Sequence, residues 1–140
     1  MINKNEVGAL ILRLTLGLLF FIHGLVKFQD GIGNTVGWFN SIGIPGFLGY
    51  VVPFVELVGG IALIIGIGTR LVSTFIAIIM IGAIFKVKLA IGLLGNGQMA
   101  GYELDLAFLA IAIYLAINGS KLLSTYQIFL NKDRYSNKTA

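Results

Sequence analysis

Long apolar runs separated by short connections dominate this 140-residue chain. The first goes from Val7 to about Val26, broken only by Arg13 and His23, and the second from Leu48 to Ile67 around Pro53 and Glu56. A third begins at Leu71 and needs about 20 residues to cross a bilayer, which takes it to about Ala90. The fourth is apolar only from Leu106 to Ile117, too short to span, so its helix is expected to start near Met99 or Ala100 and draw Glu103 and Asp105 below the membrane surface. Only 11% of residues are charged, against about 25% in soluble domains, too few to cover a water-facing shell.

These runs predict an all-α integral membrane four-helix bundle, with spans at about 7–27, 48–68, 71–90 and 100–120 in one unit covering 1–125. The first run is too long for a signal peptide, carries an arginine and lacks a small-residue cleavage site, so it is expected to stay as a helix. Four spans leave both termini on one side. The positive-inside rule makes that side cytoplasmic in a cell membrane, because Lys4, Arg70, Lys121, Lys132, Arg134 and Lys138 gather there, against Lys27, Lys86 and Lys88 outside. Residues 121–140 are expected to be an amphipathic interfacial segment, with Leu122, Leu123, Tyr126, Phe129 and Leu130 at helical spacing, followed by a disordered polar tail beyond Asn131. The glycine-rich stretch 28–47 is expected to be an outer connection in which Trp38 anchors at the interface. The second outer connection, 91–101, can dip into the membrane only if its backbone is buried.

The chain has no cysteine and a single histidine, His23. A thiol relay, a Cys-ligated cluster and a bis-His haem site are therefore excluded, and no metal site can be counted. Net charge is +4, but the basic residues are dispersed and flank apolar runs, which argues against nucleic acid. The informative residues are the charges within the spans, since each costs about 2.5–3.5 kcal/mol at mid-bilayer even on lenient scales and so seeks the interior and a partner. Arg13, Phe20, His23, Gly24 and Lys27 fall on one side of the first helix at about 100° per residue. Pro53, Glu56, Gly59 and Gly60 form a second stripe, which brings Glu56 within reach of Arg13 from below and of His23 or Lys27 from above. Glu56 has a short side chain and cannot snorkel, so it must be paired or protonated. Glu103 and Asp105 lie about 200° apart around the fourth helix, so only one points fully inward. Glu103 is the expected partner of Lys86, with Asp105 left open and Lys88 snorkelling outward.

The Arg13, Gly17, Phe20, His23-Gly24, Lys27 pattern, the Gly43-Ile44-Pro45 turn, Pro53-x-x-Glu56-x-x-Gly59-Gly60 and Gly66-x-Gly68-Thr69-Arg70 together resemble the DoxX family of four-helix membrane proteins. Gly97 to Leu106 resembles its CatD/MhqP-like branch, which is linked to catechol and quinone stress, and the resemblance covers about residues 7 to 125. It implies an oxidoreductase subunit that binds a quinone, quinol or catechol-like aromatic in the outer half of the bundle. His23 and Glu56 would relay protons, and Arg13, Phe20, Lys27, Phe54, Lys86, Tyr102 and Glu103 would bind the substrate. The expected ligand is a membrane quinone of menaquinone type. The chain supplies no intrinsic electron carrier, so turnover would require a redox partner protein or a second substrate. Two other classes stay open: a non-enzymatic scaffold or assembly chaperone, in which the charges only fix the bundle, and a small-solute or proton transporter. The transporter needs a path to the cytoplasm in which Arg13 is the only polar step.

Overall fold

The computed structural model describes residues 3–138, and over them it is all-helical. In chain order the elements are α1 (Lys4–Gln29), α2 (Ile32–Ser41), α3 (Leu48–Ile65), α4 (Thr69–Ala83), a π-helical turn that prolongs α4 (Ile84–Lys88), α5 (Glu103–Asn118) and α6 (Thr125–Ser136). Three of these, α1, α3 and α4 with its π turn, are long and apolar enough to cross a membrane.

α1 starts where Asn3 caps it, its side chain accepting from the Asn5 N–H at 2.9 Å. It runs antiparallel to α3 with the two backbones in direct contact, because glycines face each other at the crossing. A Cβ on Gly24 would lie 2.5 Å from the Leu57 nitrogen, and one on Gly60 would collide with the Phe21 nitrogen. α3 stops at Gly66, whose left-handed backbone (φ 77°) is followed by a second left-handed glycine, Gly68 (φ 57°). That two-glycine corner turns the chain straight into α4, which packs along α5. The two helix pairs close on an apolar core of Leu16, Phe20, Leu63, Ile76, Ala77, Met80, Phe108, Ala112 and Leu115.

Arg13 secures the end of the molecule from which α1 begins. It is fully buried, and its Nη1 donates to the carbonyls of Ser120 and Leu122, both at 3.0 Å, while Nη2 donates to that of Leu123 at 3.2 Å. Thr125 Oγ1 donates to the Ile65 carbonyl at 2.7 Å, and Arg70 Nε to that of Ala116 at 3.1 Å. Carbonyls left without partners at two helix ends are thus satisfied by side chains from elsewhere in the chain.

The structure corrects the expected connections. Within the connection 28–47, residues 32–41 form helix α2, with Phe39 buried and α2 resting on α3 where Gly49 lets Val36 approach. The fourth long helix begins at Glu103, later than Met99 or Ala100, because the preceding chain folds back on itself. Tyr102 and Glu103 donate backbone N–H bonds to Gly92 and Leu93, and Asn96 Oδ1 accepts from the Gln98 and Met99 N–H groups. Gly101 is buried in this fold, and a Cβ there would collide with those same two carbonyls. At the C-terminal end, Leu122 and Leu123 belong to a turn, and α6 continues through the polar residues beyond Asn131 as far as Ser136. The last two positions of the expected tail, 139–140, and the side chain of Tyr126 lie outside the described residues.

Candidate functional site

At the opposite end from Arg13 the helices part around a cavity of about 740 Å³. Its floor is the upper layer of the core, Phe20, Met80 and Phe108, and its roof is α2 and the following turn, through Trp38, Phe39, Ile44 and Pro45. The amphipathic character of α2 explains the roof. Phe39 turns inward, Trp38 and Thr35 border the cavity, and the glycines at 33 and 37 keep the opposite face thin.

Each long helix contributes polar groups to the walls. α1 supplies His23 and Lys27 at i and i+4, and Phe20 three residues before them, so one stripe of the helix lines the space. The His23 ring is packed between aromatics, its centroid 6.3 Å from those of Phe20 and Phe108, which themselves meet edge to face at 5.4 Å. α3 supplies Glu56, which is 3% exposed. Lys27 Nζ donates to both its oxygens, at 2.7 and 2.6 Å, a pairing that answers the cost of burying a carboxylate. Across the cavity, Lys88 Nζ stands 2.7 Å from Asp105 Oδ2. The π turn brings both Lys86 and Lys88 to the lining; such widened turns recur at functional sites. Among the described residues neither Lys86 nor His23 has an ion-pair or hydrogen-bond partner, so their donors are open to whatever occupies the space. The lining holds three ammonium groups and two carboxylates, one positive charge in excess with His23 neutral.

Phe20, His23, Lys27, Glu56 and Lys86 are therefore brought together, while four other expected site residues lie elsewhere. Arg13 is on the far side of the apolar core, bonded to the 120–123 backbone. Phe54 points outward, 58% exposed, into a separate shallow groove with Phe28 and Tyr50. Tyr102 and Glu103 sit at the mouth of α5 and do not reach the cavity; Asp105 is the inward acid, and its partner is Lys88, not a Glu103–Lys86 pair. The late start of α5 leaves Glu103 at the exposed first position, and two residues further the helix has turned about 200° inward. Phe108, Phe39 and Thr35 are lining residues that pattern reasoning passes over. Phe108 lies three residues after Asp105, a spacing that pairs them on one face. Among the described residues no three His, Asp or Glu side chains are placed to hold a metal ion.

Most of this constellation, all but the α5 residues Asp105 and Phe108, is carried by a segment with recognisable relatives. Residues 8–89, from α1 through the π turn, match the DoxX family. The chain belongs to the DoxX family. This DoxX protein is 43% identical over 123 residues, 87% of each chain, to the Bacillus subtilis protein named "Putative oxidoreductase CatD". It is 34% identical to an uncharacterized membrane protein of Mycobacterium tuberculosis, over 83% of this chain and 77% of that one. It is also 29% identical to inner membrane protein YqjF of Escherichia coli, over 78% and 85%. No solved structure matches it.

Proposed function

We propose that this DoxX membrane protein is an oxidoreductase subunit that binds a quinone, quinol or catechol-like ring in the cavity beneath α2. In this proposal the four long helices form a transmembrane bundle with both termini cytoplasmic and the cavity in the outer half. The observation that carries it is the meeting of unpartnered donors, His23 and Lys86, with an aromatic floor of Phe20 and Phe108 in one mostly apolar space. A planar ring with two oxygens needs apolar or aromatic contact on its faces and a donor at each oxygen. The single excess positive charge favours an oxygen that becomes anionic when a catechol or quinol loses a proton. His23 is the group placed to exchange that proton. Lys27 Nζ already donates to both Glu56 oxygens, so Glu56 acts by fixing the ammonium that borders the ring. The similarity to a protein named as an oxidoreductase supports redox chemistry, with the electrons supplied by a partner protein or second substrate.

One observation favours the scaffold reading instead: both buried acids are already paired, as they would be if the charges only fixed the helices. A transporter is less well supported, since between the cavity and Arg13 the interior is the apolar layer of Leu16, Leu63, Ile76, Ala112 and Leu115.

Extraction of the protein purified from membranes tests the choice. The ring-binding reading expects quinone to co-purify in near-stoichiometric amount, and a menaquinone analogue to raise the thermal midpoint of ligand-stripped protein. A scaffold would yield only the trace expected from residual lipid, and no shift.

A further inference from the structure

The cavity is not closed on all sides. α3 lies along α1 and α4 along α5, but α3 and α4 touch each other far less. They are tied at the Gly66–Gly68 corner and still meet where Gly59 faces Val72. Above that point they diverge, and the cavity lining continues into the gap through Val51 and Val55 on α3 and Phe75, Ile78 and Gly82 on α4. Val51, Phe75 and Ile78 are 45%, 49% and 59% exposed, so these cavity-lining residues also face the surroundings, and a Cβ on Gly82 would meet nothing within 4 Å. From Phe75 to Lys86 the α4 side of the gap is about 16 Å long at 1.5 Å per residue. It is wholly apolar until it reaches the ammonium group, opposite His23 and the ring floor.

A free catechol would use only the upper part of this shape. The lower part is a slot open to the side of the molecule, continuous with the polar end, and lined by groups that offer shape but no hydrogen bonds. Resting on the ring-binding reading above, we infer that the gap between α3 and α4 holds the hydrocarbon tail of the ligand and is its way in from the bilayer. The site therefore selects a membrane-resident aromatic with a long prenyl or alkyl tail over the free ring. Gly82 sets the width of the slot, because any side chain there projects into open space that the tail occupies.

The test compares one naphthoquinone head without a tail and with a four-unit prenyl tail, titrated into wild-type protein in nanodiscs and expressed as mole fraction in the lipid. The tailed compound should bind at least tenfold more tightly after this correction for partitioning, and Gly82→Leu should reduce that ratio to near one. A diazirine on the tail should label residues 51–55 and 75–82, with unlabelled tailed quinone competing. Equal affinity of the two compounds for the wild type, or labelling spread over the outer faces of α1 and α5, overturns the tail assignment and leaves ring binding standing. If neither compound binds the wild type saturably, ring binding itself fails and the tail assignment with it. Should Gly82→Leu not fold, the wild-type ratio and the labelling pattern decide alone.

Discussion

Glu56 is buried, and one ammonium group, that of Lys27, donates to both of its oxygens, at 2.6 and 2.7 Å. Removing one member of such a pair leaves the other uncompensated, at a cost of about 3 kcal/mol, whereas replacing both with apolar groups is often neutral. Lys27→Met is therefore expected to destabilise the protein by about 3 kcal/mol, and Lys27→Met with Glu56→Met to recover most of that loss, in a double-mutant cycle of unfolding in mixed micelles. Near-additive losses would mean that the pair is not coupled. The inward stripe of Phe20, His23 and Lys27 is legible in the sequence, because helical spacing on a long run fixes it. The choice between Glu103 and Asp105 is not. It depends on where α5 begins, and that is set by backbone bonds from Tyr102 and Glu103 to Gly92 and Leu93, which no periodicity records. Nor does the sequence show that Lys88 turns inward: a lysine near a span end reads as snorkelling, and the π turn directs it to Asp105 instead.

At the scale of elements, close approach of α1 and α3 rests on glycine. Gly24→Ala would push a methyl group to 2.5 Å from the Leu57 backbone nitrogen, an overpacking that costs about 1–3 kcal/mol. Gly8 lies in the same helix, and a methyl group added there would meet nothing within 4 Å, so Gly8→Ala should gain about 0.5–1 kcal/mol from helix propensity. Opposite signs in thermal unfolding check the pairing of the two helices. Arg13 is an end clasp. Arg13→Met leaves the carbonyls of Ser120, Leu122 and Leu123 without their donor, so limited trypsin digestion should cut faster after Lys121. Affinity for a ring ligand, measured on the protein that remains folded, should be unchanged. The long helices are visible in the sequence as runs of apolar residues. α2 is hidden, since Gly33 and Gly37 sit inside it and Gly31 at its start, residues that lower helix propensity. It forms because Phe39 and Val36 find apolar surface on the rest of the fold.

For the whole molecule, the clasp of Arg13 and the cavity lie at opposite ends, separated by the apolar core. In the proposed topology the clasp is cytoplasmic and the cavity lies outside, and the absence of cysteine makes this simple to check. With a membrane-impermeant maleimide, Asn40→Cys should be labelled in intact cells, and Lys138→Cys only after the cells are opened. The reverse pattern would invert the topology. Composition and charge suffice for a helical membrane protein, but the cavity is a property of packing. It exists because α2 folds over helices that diverge beyond a glycine corner, a relation between distant segments. The most direct test of the central claim is titration of a menaquinone analogue into the purified protein, followed by change in ring absorbance, for wild type, Lys86→Met and His23→Leu. One saturable site is predicted for the wild type, with each variant binding about tenfold more weakly, about 1.4 kcal/mol, at an unchanged thermal midpoint. Absence of saturable binding, or equal binding by all three proteins, would contradict a ring site beneath α2.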